Sequence, residues 1–89
     1  MVTRTIRIIN EKGLHARASA RFVEVVEVHD ARALVFKDGM EVSGDSIMGL
    51  LMLAASRGTS IEVKTSGAEA EKLADALEAL VAARFGEDY

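Results

Sequence analysis

The sequence predicts a single α+β domain over residues 1–89, with one face of a four-stranded sheet covered by three helices and the other open to solvent. A chain of 89 residues is too short for a second hydrophobic core. Its apolar pattern switches several times between a period of two residues and one of 3.6, in the order β-α-β-β-α-β-α. Short strands and helices in this order predict a two-layer sandwich.

The first three elements follow from alternation and helical spacing. Polar and apolar residues alternate over Val2–Ile9, which predicts a strand. After a loop marked by Gly13, apolar residues at helical spacing predict a helix over Ala16–Val28. Alternation returns in a second strand over Arg32–Lys37. The dipeptide Asp38-Gly39 then predicts a type I′ hairpin turn, so the next strand pairs back antiparallel.

The second half of the chain supplies two strands and two helices. The hairpin partner is predicted over Met40–Ser43, and a short helix runs from Ile47 to about Ala54. Ser60–Thr65 alternates again and is predicted to be the fourth strand. Ser66–Glu69 fits a capping box, with Ser at the N-cap and Glu three residues later. The last helix is therefore expected to follow it and to reach Arg84.

Composition argues against several classes of protein. The net charge is −3 and the aromatic residues are one Tyr and three Phe, which disfavours nucleic-acid binding. The absence of Cys excludes thiol chemistry and favours the cytoplasm. The longest apolar run, Ile47–Ala55, is far shorter than the roughly 20 residues that cross a membrane. With only two histidines, at opposite ends of one helix, neither a metal nor a cofactor is expected.

The segment around His15 carries the predicted chemistry. If the helix begins at Ala16, His15 is its N-cap, and imidazole replaces the usual capping oxygen poorly. The backbone N–H groups of Ala16, Arg17 and Ala18 are then predicted to be free for an anion, assisted by the helix dipole. The Arg17 guanidinium suits phosphate oxygens, and Gly13 permits a tight approach of the loop. This pattern indicates a phosphoryl receptor on His15; a surface histidine without a task is the alternative.

Two motifs carry a resemblance to a known family. Residues 13–17, Gly-Leu-His-Ala-Arg, resemble the active-site segment of HPr, the histidine phosphocarrier of the phosphoenolpyruvate-dependent phosphotransferase system. Residues 45–50, Asp-Ser-Ile-Met-Gly-Leu, are similar to the regulatory serine segment of that family. The resemblance implies an open-faced β-sandwich with an antiparallel sheet, a phosphohistidine at Nδ1 of His15 and Arg17 as the phosphate partner. Ala18, where the family commonly has Pro, leaves both the sugar-uptake and the nitrogen-related branch open.

The resemblance also implies partners. The chain is predicted to accept a phosphoryl group from phospho-enzyme I, whose surface is implied to be acidic, and to pass it to a IIA protein or domain. It would do so as a monomeric carrier and not as a stand-alone enzyme. An HPr kinase/phosphorylase is the partner expected at Ser46. Two other readings remain: an interaction module controlled by phosphorylation of Ser46, and a small-anion or nucleotide-binding domain.

Ser46 and the helix after it predict a docking surface. Ser46 is expected to cap that helix, whatever else it does. The helix carries too many apolar residues for one buried stripe, so Ile47 and Met48 are candidates for partner contact. In HPr, this helix and the one after the active-site histidine form the docking face, which adds Arg21 and Leu51 to the predicted surface.

Overall fold

Four antiparallel strands form one sheet in the computed structural model, which describes residues 1–89. The strands are β1 at Val2–Arg7, β2 at Arg32–Lys37, β3 at Met40–Ser43 and β4 at Ser60–Ser66. Their spatial order is β1-β4-β2-β3, and every neighbouring pair is antiparallel. The predicted antiparallel sheet is therefore confirmed, although β1 ends two residues earlier than the alternation indicated.

Three α-helices cover one face of this sheet. They are α1 at Ala16–Glu27, α2 at Ile47–Met52 and α3 at Ala70–Ala82, and a 3₁₀ turn follows at Arg84–Gly86. The predicted order β-α-β-β-α-β-α is confirmed. None of the helices has the length and apolar character needed to cross a membrane.

The core lies between the sheet and the helices. Alternation along β4 places Ile61, Val63 and Thr65 on the buried face and leaves the residues between them half-exposed. Phe22 of α1 and Leu73 of α3 are fully buried against this face. α1 packs against both α2 and α3, and these contacts fix its place in the helical layer.

The hairpin between β2 and β3 has the predicted turn. Asp38 and Gly39 have φ values of 50° and 81°, the left-handed conformation that a type I′ turn requires at both central positions. The turn sets the register in which Lys37 faces Met40.

The predicted capping box before α3 is wrong. Ser66 belongs to β4, and the N-cap residue is Glu69, whose side chain makes no capping hydrogen bond. The Glu69 carboxylate instead accepts the backbone N–H of Asp30 at 2.7 Å, while the Glu69 N–H donates to the Asp30 carbonyl at 2.9 Å. The Asp30 hydrogen bond lowers the pKa of Glu69. The carboxylate therefore ties α3 to the loop that precedes β2 and leaves its own helix uncapped.

Candidate functional site

His15 is the N-cap residue of α1, as the sequence predicts. Its backbone is extended, with φ −78° and ψ −176°, and its carbonyl accepts the first helical hydrogen bond from Ser19 at 2.8 Å. The Leu14 N–H donates to the carbonyl of Ala55 at 2.9 Å, and the Leu14 side chain is buried. The chain on both sides of His15 is therefore fixed, while its side chain stays 28% exposed at the mouth of the helix.

The backbone donors at the start of α1 differ from the prediction. The Arg17 N–H is engaged, because it donates to Nδ1 of His15 at 3.2 Å. Imidazole thus caps this helix, contrary to the expectation that it would leave the first turn free. Ala16 is exposed and its N–H has no acceptor in the protein. Ala18 is fully buried, so the donor role predicted for its N–H does not fit this geometry.

Gly13 brings the loop before His15 against the segment after α2. Its φ of +65° is in the left-handed region that favours glycine. A Cβ atom here would lie 2.5 Å from the carbonyl oxygen of Ala55 and 2.9 Å from Cα of Ser56. Both the conformation and the close backbone contact therefore require glycine at this position.

A basic pocket lies beside His15. Lys12, Arg17 and Arg21 line one side of a cavity of about 240 Å³, and residues 85–89, with the acidic Glu87 and Asp88 among them, form its other wall. All three basic side chains are exposed, and none of them forms a salt bridge. Their positive charges are therefore available to an incoming anion. Arg17 and Arg21 are the basic candidates from the sequence. Lys12, expected to be a solvated side chain, is exposed but also lines this cavity.

Two residues that sequence reasoning missed complete the surroundings of His15. Nε2 of His15 is hydrogen-bonded to Oε2 of Glu87, and Nδ2 of Asn10 donates to Oε1 of the same carboxylate at 2.9 Å. Asn10 is fully buried and also donates to the carbonyl of Gly13 at 2.8 Å. The His15–Glu87 contact spans 72 positions of the chain, and the Asn10–Glu87 contact spans 77. Local sequence patterns therefore contain no signal for either contact.

The electrostatics of this contact keep Glu87 ionised. Burial alone would raise the pKa of Glu87. The hydrogen bonds from Asn10 and His15, together with the charges of His15 and Lys12, outweigh that effect and lower the pKa below its usual range. An anionic carboxylate therefore lies on the Nε2 side of the imidazole, opposite the nitrogen that faces the helix.

Ser46 is the N-cap of α2, as predicted. Its Oγ accepts the backbone N–H of Gly49 at 3.0 Å, and the residue is half-buried. Behind it, Ile47 and Met48 are 40% and 70% exposed, whereas Leu51 is half-buried. Met52, which is not among the predicted contact residues, is also 64% exposed. The exposed side chains of α2 thus form an apolar patch next to α1.

The other histidine is far from this site. His29 lies beyond the C-terminal end of α1, where its Nδ1 donates to the carbonyl of Val25 at 2.7 Å. No group of three or more His, Cys, Asp or Glu side chains is placed to hold a metal ion.

Comparisons with known proteins agree with this geometry. The family model described as "PTS HPr component phosphorylation site" matches residues 2–83. The phosphocarrier protein HPr of Neisseria meningitidis is 45% identical over 87 residues, which cover 98% of each chain. The phosphocarrier protein NPr of Escherichia coli K12 is 36% identical over 88 residues, again 98% of each chain. The crystal structure of HPr-C-His from Thermoanaerobacter tengcongensis superposes with a TM-score of 0.95 at 36% identity, covering 100% of both chains.

The match covers nearly the whole chain and includes both His15 and Ser46. It agrees with the fold, because the structural relative has the same architecture over its full length. The chain therefore belongs to the HPr family of the phosphotransferase system, whose members are phosphocarriers and not stand-alone enzymes.

Proposed function

We propose that this protein carries a phosphoryl group on Nδ1 of His15, accepting it from phospho-enzyme I and passing it to a histidine of a IIA protein or domain. One observation carries the proposal: His15 is held at the N-terminal end of α1, with Nδ1 facing the Arg17 N–H. Lys12, Arg17 and Arg21, which form no salt bridges, line the pocket beside it. A helix N-terminus and unpaired cations attract phosphate.

The transfer requires an unprotonated Nδ1. Its lone pair attacks phosphorus in line, the N–P bond forms, and the bond between phosphorus and enzyme I breaks with its electron pair left on enzyme I. Such transfers pass through a loose transition state with charge spread over the equatorial oxygens. The backbone N–H groups of Ala16 and Arg17 and the guanidinium of Arg17 stabilise that charge. The protein itself positions the group and does not turn over alone.

Onward transfer reverses the same geometry. The histidine of the IIA partner attacks phosphorus, and the N–P electron pair returns to Nδ1. Both partners must then reach His15 in turn, which suits a monomeric carrier in the cytoplasm with a small docking face. The exposed Ile47 and Met48, the half-buried Leu51 and the charge of Arg21 would supply this face, with apolar contacts beside a basic rim.

Two branches of the phosphotransferase system are candidates for the place where this carrier acts. Similarity to proteins named HPr supports a role in sugar uptake, and similarity to NPr supports the nitrogen-related branch. Purified IIA proteins of the two branches, each offered the phosphorylated carrier, would separate them by the initial rate of transfer.

The test of the carrier function is phosphorylation by phosphoenolpyruvate and purified enzyme I. We expect label on the protein that is labile to acid and stable to base, as a phosphohistidine is. His15→Ala should remove the label while the protein stays folded. His29→Ala is the matched control and should be labelled at the wild-type rate. Labelling of the His15→Ala protein at that rate would refute the proposal.

A second candidate function is an interaction module controlled at Ser46. It is favoured by one observation: Ser46 caps a short helix whose exposed Ile47, Met48 and Met52 offer an apolar surface. An HPr kinase/phosphorylase would be the modifying partner. This function predicts acid-stable label on Ser46 and none on His15, so the same labelling experiment separates the two.

A further inference from the structure

The carboxylate of Glu87 is held between two side chains, those of His15 and Asn10. Oε2 is bonded to Nε2 of His15, and Oε1 accepts from Nδ2 of Asn10 at 2.9 Å. The Glu87 side chain is only 16% exposed, and Asn10 is fully buried. Glu87 lies beyond residues 2–83, the part that matches the family model.

The backbone before Glu87 has a strained conformation that directs the Glu87 side chain toward His15. Arg84, Phe85 and Gly86 have φ values of 55°, 56° and 81°, so three successive residues are left-handed. For the two that are not glycine this conformation is costly, and it persists only where the surroundings impose it. Phe85 supplies that constraint, because it is buried in the core and only 1% exposed. The turn reverses the chain after α3 and directs Glu87 to His15.

Both nitrogens of the imidazole are therefore assigned by their partners. An ionised carboxylate can only accept a hydrogen bond, so the proton between Glu87 and His15 belongs to Nε2. The backbone N–H of Arg17 can only donate, so Nδ1 presents its lone pair. The two contacts select the same tautomer from opposite sides of the ring.

We propose that Glu87 is a positioning residue for His15: it keeps the proton on Nε2 through the whole carrier cycle and so reserves Nδ1 for phosphorus. This proposal rests on the function proposed above. When Nδ1 bonds phosphorus, the ring becomes a cation that still carries its Nε2 proton, and the carboxylate faces that charge. When the phosphoryl group leaves, the electron pair returns to Nδ1, so no proton has to be lost or gained.

The primary test reads the tautomer without any phosphotransfer. ¹⁵N chemical shifts of the His15 ring are measured at pH 8 in the wild type, Glu87→Ala and Glu87→Gln. We expect the wild type to show a protonated Nε2 and an unprotonated Nδ1. Glu87→Ala loses the acceptor, so its two shifts should move toward each other.

The glutamine variant gives a sharper prediction. Both N–H groups of Asn10 are donated, one to Gly13 and one to residue 87, so the amide oxygen of Gln at position 87 belongs opposite Asn10. Its NH₂ group then faces Nε2 of His15 and favours the tautomer that is protonated on Nδ1. The Nδ1-protonated fraction is therefore expected to rise from wild type to Glu87→Ala to Glu87→Gln.

Glu71→Ala is the matched control, because Glu71 is an exposed glutamate in the first turn of α3 and lies outside the pocket beside His15. Ring shifts unchanged in both Glu87 variants, or moved equally by Glu71→Ala, would overturn the proposal. With enzyme I, Glu87→Ala should be phosphorylated about two- to fivefold more slowly, while Glu71→Ala keeps the wild-type rate. If the wild type takes up no phosphate from enzyme I, the proposed carrier function is refuted. The ¹⁵N shifts of the His15 ring still show whether Glu87 fixes its tautomer.

Discussion

Nδ1 of His15 accepts a hydrogen bond from the backbone N–H of Arg17 at 3.2 Å, at the long end of the range for such bonds. The nitrogen proposed to carry phosphate is thus already in contact with the helix end that would hold the phosphate oxygens. Once Nδ1 bonds phosphorus its lone pair is used, and the Arg17 N–H loses its acceptor. A phosphoryl oxygen is the acceptor that replaces it, so one donor serves both states.

The side chain of Arg17 is the first test of this arrangement. Its guanidinium is exposed and lines the pocket beside His15 without a salt-bridge partner. Arg17→Ala should slow phosphorylation of His15 by about tenfold or more, since hydrogen bonds to charged groups contribute roughly 1.5–3 kcal/mol. Arg17→Lys keeps the charge but loses the planar fork, so it should retain part of the rate. The measurement is the initial rate of labelling by enzyme I.

Arg32→Ala provides the control for Arg17, because Arg32 is equally exposed but lies near His29, away from the basic pocket. It should be labelled as fast as the wild type. Equal rates for all four proteins would remove the Arg17 side chain from the mechanism and leave the backbone donors alone.

Gly13 gives a prediction about stability. Gly13→Ala places a Cβ 2.5 Å from the Ala55 carbonyl oxygen in a left-handed backbone, so we expect a loss of about 2–4 kcal/mol in the free energy of unfolding. Gly58→Ala is the matched control, because Gly58 is also left-handed, with φ +89°, but has nothing within 4 Å of the added atom. It should lose only about 1–2 kcal/mol, the cost of a left-handed backbone at a residue other than glycine. Urea unfolding compares the two, and equal losses would show that the contact with Ala55 is relaxed easily.

Features that depend on neighbouring residues were predictable from the sequence. The type I′ turn at Asp38-Gly39, the N-cap position of His15 and the cap at Ser46 each follow from a few adjacent residues. In each case the side chain or the backbone acts within its own turn. The family motifs around His15 and Ser46 belong to the same class, because they are contiguous in the chain.

Features that depend on distant partners were missed or predicted wrongly. Glu69 has the spacing of a capping box, but its carboxylate binds the Asp30 N–H, 39 residues away, in place of its own helix. One local feature is also predicted wrongly: general N-cap preferences argue against capping of α1 by imidazole, whereas the observed Nδ1 contact depends on the orientation of the His15 ring. Glu87 reaches His15 only because a left-handed turn follows α3, and periodicity does not report such a turn.

Glu69 makes stability depend on pH. Because its pKa is lowered on folding by the Asp30 hydrogen bond, the stability it contributes is present above its unfolded pKa, near 4.5, and is lost as the pH falls through the lower folded pKa. Glu69→Gln keeps an acceptor but loses the charge, which weakens the bond. The variant should therefore be less stable than the wild type at pH 7, and this difference in stability should shrink as the pH falls below 4.5 and through the lower folded pKa of Glu69.

Urea unfolding of both proteins between pH 7 and pH 3 measures this gap. Glu71→Gln is the control, since Glu71 lies in the first turn of the same helix but is exposed and forms no hydrogen bond or salt bridge. The difference in stability between Glu71→Gln and the wild type at pH 7 should be smaller than that of Glu69→Gln, because only the helix dipole acts on Glu71. A Glu69→Gln gap that stays constant with pH would show that the Asp30 contact does not distinguish the charged carboxylate from the neutral amide.

Ser46 provides the last prediction, which separates its structural role from its place on the docking face. Ser46→Ala removes the oxygen that accepts the Gly49 N–H and should cost about 1 kcal/mol of stability, with unchanged phosphorylation kinetics. Ser46→Asp keeps a capping oxygen, so its stability should change by less than about 1 kcal/mol. Its added negative charge, beside α1, should nevertheless raise the KM for phosphorylation by enzyme I, whose surface the family resemblance implies to be acidic.

The measurement is the steady-state rate of His15 phosphorylation at low and at high ionic strength. Like charges across an interface mainly slow association, and added salt screens them, so the KM difference should shrink as salt rises. Thr3→Asp is the matched control, because Thr3 is exposed in β1, at the sheet edge opposite β3, and α2 packs against β3. A KM for Ser46→Asp equal to that of Thr3→Asp at low salt would mean that Ser46 is a helix cap outside the docking face.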